Sequence, residues 1–163
     1  MFEDKRGFFY ETYNQKVFKT LTGLDIGFVQ DNQSISSYGV LRGLHYQRGE
    51  MAQAKLVRVV LGKVLDIVVD IRKDSKTFGK HFSIILDDVE QLQLFVPKGF
   101  AHGFITLSEK SIFSYKCDNF YDKVSEGGIL YNDATLSLDW HLSVEDFIIS
   151  EKDKQLPNFK DLF

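Results

Sequence analysis

Lys55-Leu56-Val57-Arg58-Val59-Val60-Leu61-Gly62-Lys63-Val64-Leu65-Asp66-Ile67-Val68-Val69-Asp70-Ile71-Arg72 is the stretch that decides the fold. It consists of two apolar runs rich in β-branched Val and Ile, broken once, at Gly62. Runs of this length, bounded by Gly and charged residues, read as strands rather than as one helix. In the second run Asp66 and Asp70 recur at even spacing, so they share one face of a strand. Leu61-Gly62-Lys63 reads as a tight hairpin turn between the two.

The same texture extends in both directions. Strands are expected over 28–32, 39–47, 55–61, 63–72, 81–86, 91–96, 103–107 and 111–117, with Gly, Asp, Ser or Lys at the breaks. One short helix is expected over Gln15–Thr22, with Asn14 as its N-cap and Gly23 as its stop. The tail beyond Asp146 is expected to form a short helix or loop that packs back on the strands. Short strands at regular spacing, without intervening helices, predict an all-β antiparallel barrel or sandwich. The chain has 163 residues, only two Pro, no linker and no repeat, so one domain over 1–163 is expected.

Composition excludes several classes. Hydrophobic residues make up 44% and aromatics 14%, with 15 Phe, which suits a packed core. The net charge of −3 gives no electrostatic basis for binding nucleic acid or an anionic membrane. No apolar run approaches the roughly 20 residues that a spanning helix needs. Cys117 is the single cysteine, which rules out an internal disulfide and a cysteine-based zinc site and suits a reducing compartment. The first residues are charged rather than signal-like. A soluble cytoplasmic protein is expected.

The chemistry concentrates in Gly39-Val40-Leu41-Arg42-Gly43-Leu44-His45-Tyr46-Gln47. Imidazole is the side chain whose unperturbed pKa lies near neutrality, so His45 on a rigid apolar element can exchange a proton at working pH. Lys55, His102 and Tyr115 also sit in or beside apolar runs. One titratable group per strand is the pattern of a pocket inside a barrel. Each residue also has a plainer reading: His102 as a hydrogen-bonded core histidine, Tyr115 as a core aromatic, Lys55 and Arg6 as solvated surface cations. His81 and His141 lie in polar contexts and are read as surface residues.

Pro97-Lys98-Gly99-Phe100-Ala101-His102 has the Pro-x-Gly-x-x-His spacing of the second motif of the cupin superfamily, small jelly-roll barrels that often hold a metal. The first cupin motif offers His-x-His and then Glu. Here Tyr46 and Gln47 follow His45, so the second histidine is missing and metal catalysis is the weaker reading.

Taken together the segments resemble the RmlC-type dTDP-4-dehydrorhamnose 3,5-epimerase family of the cupin superfamily. The resemblance rests on Asp4-Lys5-Arg6-Gly7-Phe8-Phe9 with Glu11, the stretches 28–32, 39–47, 55–60, 68–72, 75–79, 95–104, 115–117 and 128–133, the pair Asp139-Trp140, and 149–153. These run in collinear order over nearly the whole chain. The resemblance implies a jelly-roll, cupin-type antiparallel β-barrel with short flanking helices, acting without a cofactor or a metal on a nucleotide-linked 4-keto-6-deoxysugar. It implies His45 as the base, Asp153 as the carboxylate that orients it, Tyr115 as the acid on the opposite face and Lys55 as the cation that stabilises the enolate. His102 is implied to hydrogen-bond the sugar or its C4 oxygen, and Arg42 to bind the diphosphate. Arg6, Glu11, Gln30, Asn32, Glu126 and Lys152 complete the implied binding site, some of them reaching from a neighbouring subunit of a strand-exchanged homodimer.

The chain departs from that family in places. It opens close to the Asp4–Phe9 motif, where family members carry a longer leading segment. Either an edge strand is absent, which would leave a sheet edge unpaired, or the start codon is misassigned. The loop 48–54 lacks prolines often found there, Ala54 replaces a usual Gly, and His141 follows Trp140 where Pro is usual. These positions bear on substrate identity more than on mechanism. The sequence leaves open a C3-only epimerase, a GDP-linked 4-keto sugar such as a heptose, and a 3,4-ketoisomerase. It also leaves open a metal-dependent cupin and an inactive sugar-nucleotide-binding barrel.

Overall fold

The computed structural model describes residues 2–163. A small hairpin, β1 (Phe2–Asp4) and β2 (Gly7–Phe9), precedes helix α1 (Gln15–Thr22). Asn14 accepts the N–H groups of Lys16 and Val17, and Gly23 closes the helix at φ 72, a left-handed conformation that costs glycine nothing. Then come β3 (Gln30–Ser37), β4 (Val40–Gln47), β5 (Lys55–Leu61), β6 (Lys63–Asp70), β7 (His81–Asp87), β8 (Gln93–Val96), β9 (Phe100–Thr106), β10 (Lys110–Cys117) and β11 (Glu126–Gly128). The tail adds β12 (Ile148–Ile149), α2 (Glu151–Lys154) and α3 (Phe159–Leu162).

Two sheets form the barrel. One runs β3-β10-β5-β8 and the other β11-β4-β9-β6-β7, with β12 beside the first residues of β4. Every pairing is antiparallel except β12 with β4. The result is the jelly-roll expected from the resemblance.

Alternation along β6 shows why the second run of the opening stretch is apolar throughout. Val64 and Val68 point inward and pack with Val57, Val59, Leu86, Val96, Phe104 and Phe113 between the sheets. Leu65, Ile67 and Val69 point outward into a second core with Leu41, Leu44, Ile105, Leu136, Trp140 and Phe159. The tail therefore covers the outer face of the larger sheet. Full burial of each such side chain stabilises by about 1.5–3 kcal/mol.

Several expectations need correction. Gly62 is not a hairpin turn: β5 and β6 lie in different sheets, and Gly62 is the corner between them. It holds φ 82, donates its N–H to Asp88 Oδ2 at 2.9 Å, and would drive any Cβ into the Lys110 carbonyl. Strand β3 starts at Gln30 and runs to Ser37 rather than spanning 28–32, because its inward face (Gln30, Asn32, Ser34, Ser36) is polar and hides the usual apolar alternation. The second run of the opening stretch stops pairing at Asp70 rather than Arg72.

Asp70 stops that strand with a cluster of donors. Its carboxylate accepts from Arg72 Nε at 2.8 Å and Nη2 at 2.7 Å, and from Ser75 Oγ and Thr77 Oγ1, both at 2.6 Å. Arg72 also stacks 4.7 Å from the Phe100 ring centre. The guanidinium, helped by the hydroxyls, holds the carboxyl well below the usual carboxylate range despite its burial. A depressed folded-state pKa stabilises above the unfolded value of about 3.9, and that contribution is lost as pH falls toward the folded value. Asp70→Asn is expected to cost about 2 kcal/mol at neutral pH, seen as a lower urea midpoint at unchanged slope. The gap between variant and wild type should narrow progressively below pH ~4.

Candidate active site

The site begins with an irregularity in β4. Arg42 pairs with Phe104 of β9 and His45 with His102, so three steps on β4 match two on β9. In an even strand, residues three apart face opposite ways. The extra residue, a β-bulge, turns Arg42 and His45 to the same side, into the barrel. Leu44 is turned outward, fully buried in the outer core. Gly43 holds φ 119, and a Cβ there would stand 2.6 Å from Gly103 Cα and 2.7 Å from the His102 carbonyl oxygen. Only a residue without a side chain fits.

A cavity of about 630 Å3 opens beneath this bulge, a size usual for small-molecule sites. Its lining comes from both sheets and from the tail. On the larger sheet stand Arg42, His45 and His102; on the smaller stand Asn32, Lys55 and Tyr115; Ser150, Lys152 and Asp153 close it from the tail. His45 and Tyr115 therefore stand on opposite walls.

His45 Nε2 lies 2.8 Å from Asp153 Oδ1, and Asp153 Oδ2 accepts the Gly43 N–H at 3.3 Å. Burial pushes the Asp153 carboxyl up, but the His45 hydrogen bond and charge, with the Gly43 amide, hold it below its ordinary value. It is a carboxylate at neutral pH, fit to support an imidazolium. The backbone around it is pinned. Ser150 Oγ caps α2 by accepting the Asp153 N–H at 3.1 Å, and Ile148 donates to the Gly39 carbonyl at 2.9 Å. A spacing of 108 residues in the chain closes to one hydrogen bond.

On the facing wall, Lys55 Nζ lies 5.7 Å from the Tyr115 ring centre. Burial pushes the Lys55 ammonium down, opposed by the neighbouring Cys117, Asp66 and Glu126. Burial pushes the Tyr115 phenol up, reinforced by Cys117 and opposed by Arg42, so it stays protonated well into the alkaline range. Gln30 and Asn32 hydrogen-bond each other at 3.0 Å and join His45, Lys55 and Tyr115 around an adjoining pocket.

Further groups line the cavity or the adjoining pocket. Arg42 Nε donates to the buried Ser36 Oγ at 3.1 Å, and its terminal nitrogens have no hydrogen-bond partner among the described residues. His102 Nε2 lies 2.9 Å from Asp66 Oδ2. Lys152 Nζ donates to Glu126 Oε2 at 2.7 Å, and Tyr121 Oη donates to the same oxygen at 3.1 Å. Burial raises the Glu126 carboxyl, yet these two donors and the nearby cations bring it below its ordinary value.

Two expected residues are brought neither to this cavity nor to the adjoining pocket by their own chain. Arg6 is exposed in the β1–β2 turn and pairs with Asp4. Glu11 lies in a groove between α1 and the outer face of the smaller sheet, the side away from the cavity. His81 and His141 are exposed, as expected. Among the described residues no three His, Cys, Asp or Glu gather as a metal site, and no helix is long and apolar enough to cross a membrane. Sequence reasoning missed Gly43, Ser36, Ser150 and the partnership of Asp66 with His102. Only Asp66 carried a signal, a carboxylate in the middle of a strand otherwise apolar on both faces.

Gly43→Ala tests the bulge. The added methyl must move β4 away from β9, and displacements near 1 Å cost on the order of 100-fold in rate. A drop in kcat of about that size is expected, with melting lowered by a few degrees; wild-type kcat in the variant would disconnect the bulge from catalysis.

Comparison with known proteins agrees with this geometry. The family model described as dTDP-4-dehydrorhamnose 3,5-epimerase matches residues 1–161. The dTDP-4-dehydrorhamnose 3,5-epimerase of Salmonella typhimurium is 53% identical over 143 residues, covering 88% of this chain and 78% of that protein. The crystal structure of the enzyme of that name from Elizabethkingia anophelis superposes with a TM-score of 0.94 at 58% identity, covering 99% of this chain and 88% of the other. The dTDP-6-deoxy-D-glucose-3,5-epimerase RmlC of Legionella pneumophila, solved in complex with dTDP-4-keto-L-rhamnose, gives a TM-score of 0.95 at 45% identity, covering 99% and 85%. This chain belongs to the dTDP-4-dehydrorhamnose 3,5-epimerase family.

Proposed function

We propose that this protein epimerises dTDP-4-dehydro-6-deoxy-D-glucose at C3 and C5 to dTDP-4-dehydro-L-rhamnose. The observation that carries the reading is a His–Asp pair on one wall of a cavity and a buried phenol on the other. The C4 ketone acidifies the hydrogens on C3 and C5. His45, with Nε2 committed to Asp153, removes one through Nδ1 and becomes an imidazolium balanced by the carboxylate. The electron pair passes to the C4 oxygen, where Lys55 stabilises the enolate. Tyr115 returns a proton from the opposite face and inverts the centre. The imidazolium then loses its proton to solvent, the phenolate regains one, and the cycle repeats at the second carbon.

Arg42 holds the diphosphate, and Gln30, Asn32, Glu126, Lys152 and His102 contribute to binding. Arg6 and Glu11 act from the neighbouring subunit of a homodimer, a role consistent with their distance from their own chain's cavity. The reaction belongs to deoxysugar synthesis for surface polysaccharide, in the cytoplasm.

Turnover in D2O tests the reading. Wild type is expected to incorporate deuterium at C3 and C5, and His45→Ala to abolish exchange at both while still binding dTDP. Absence of exchange in folded, dTDP-binding wild type would leave only a binding barrel. Tyr115→Phe should slow inversion more than exchange, because the first proton still leaves; equal loss of both would remove Tyr115 from the acid role. Product NMR with dTDP- and GDP-linked 4-keto sugars in parallel decides the nucleotide and the number of centres.

The pH profile gives a separate check. Lys55 loses its proton below the ordinary lysine range, so enolate stabilisation falls as pH rises through that lowered value. Tyr115, raised by burial, still holds its proton there. The alkaline limb of kcat is therefore expected below the ordinary lysine range and should move upward in Lys55→Arg, whose guanidinium does not titrate. A limb unmoved by that substitution would assign it to another group.

A further inference from the structure

Four aspartates are buried among the described residues: Asp66, Asp70, Asp133 and Asp153. Three have both oxygens engaged. Asp70 takes Arg72, Ser75 and Thr77; Asp133 takes the N–H groups of Thr135, Leu136 and Phe159; Asp153 takes His45 and Gly43. Asp66 differs. It is fully buried on the inward face of β6 between Val64 and Val68, its Oδ2 meets His102 Nε2 at 2.9 Å, and its Oδ1 has no hydrogen-bond partner among the described residues. A carboxylate taken out of water for one donor costs stability, and an apolar side chain at that position would not. The fold gains little from Asp66, so the reason for it lies with its single partner.

That partner faces the cavity. His102 stands opposite His45 in register, and its ring stacks on Phe113 with centres 6.0 Å apart and planes 25° from parallel. Stacking sets the ring plane, and the carboxylate sets which edge points inward. A carboxylate accepts only, so Nε2 must carry the hydrogen. In the neutral ring Nδ1 is then bare and accepts only. An enolate oxygen is itself an acceptor and needs a donor; a sugar hydroxyl has a hydrogen to give. Lys55, with three N–H groups and no acceptor, meets the opposite need.

We propose that Asp66 is a positioning residue that holds His102 in its Nε2–H form, so that the bare Nδ1 accepts a hydrogen bond from a hydroxyl of the sugar while Lys55 alone serves the C4 oxygen. The proposal rests on the epimerase reading and adds a division of labour to it: His102 reads the sugar, and Lys55 drives the chemistry. A hydrogen bond to a hydroxyl that takes no part in the proton transfers is made equally in the ground and transition states, so it shows in KM rather than in kcat.

Two measurements test this. Nitrogen-15 NMR of the histidine rings in the wild-type protein at neutral pH reads the tautomer directly, with the His102 signal identified by its loss in His102→Gln. A protonated, slowly exchanging Nε2 and a bare Nδ1 are expected; a proton on Nδ1 overturns the proposal, because His102 would then be a donor suited to the enolate oxygen. This readout needs neither turnover nor a folded Asp66 variant. In steady-state kinetics with dTDP-4-dehydro-6-deoxy-D-glucose, Asp66→Asn is expected to raise KM about tenfold while lowering kcat less than about threefold. A loss of kcat of about 100-fold at unchanged KM would place Asp66 in the chemical step and overturn the proposal. Failure of the wild type to turn over would count against the epimerase reading, while the ring tautomer would still report on Asp66.

Discussion

The structure depends on one extra residue in β4. Without the bulge between Arg42 and His45, one of the two would face the outer core, where Leu44 now sits. The bulge requires the strands to approach so closely that Gly43 meets Gly103 backbone to backbone. The same distortion turns the Gly43 N–H toward Asp153. Thus a single irregularity aims the imidazole, aims the guanidinium and supplies one of the two donors that hold the carboxylate. Side chains placed by strands are held more rigidly than side chains placed by loops, which suits the proton-transfer role proposed for His45.

The carboxylate of that pair arrives from the far end of the chain, and packing energy brings it there. The tail lies on the outer face of the larger sheet. Asp133 caps the turn at Thr135 and Leu136 and also takes the Phe159 N–H at 2.7 Å, tying the start of α3 to the loop that leads into the tail. Trp140 is buried in the outer core and donates to the Tyr131 carbonyl at 2.9 Å. Phe159 and Phe163 close the cluster with Phe78. None of these residues touches the cavity, yet they fix both flanks of the segment that carries Asp153. Loss of outer-core packing would therefore loosen the contact between Asp153 and His45.

What the sequence disclosed follows from which physical signals are local. Helix α1 was legible to the residue, because its cap and its stop are single side chains acting within one turn. The β5 and β6 runs were legible because burial on one or both faces leaves a continuous apolar record. Gly62 misled, since a glycine between two strands looks the same whether the strands pair or part into different sheets; pairing is decided by distant partners, here β8, β10, β7 and β9. Strand β3 was placed too early because a strand that lines a polar cavity carries Asn and Ser where a core strand carries Val. The bulge was invisible for a related reason: register is a relation between two strands and leaves no mark on either alone. Titratable groups on apolar runs single out His45, Lys55 and Tyr115, the family resemblance adds Asp153 and the phosphate role of Arg42, and the barrel brings all five to one cavity. Arg6 and Glu11 came from the same resemblance, and their own chain carries them elsewhere.

The two walls of that cavity carry different groups. The larger sheet presents Arg42 and two imidazoles, each imidazole within hydrogen-bond reach of a buried aspartate. The smaller sheet presents an ammonium and a phenol, with amides beside them. In the proposed reaction, a negative charge that develops on a sugar oxygen between the walls is attracted by Lys55. In a low-dielectric interior such fixed charges act strongly and need no rearrangement as the charge forms. Burial that weakens the hold of Lys55 on its proton also excludes the water that would screen its charge. The cost of a cation inside a barrel and its proposed use there are thus the same physical fact, and the neighbouring carboxylates of Asp66 and Glu126 oppose that cost.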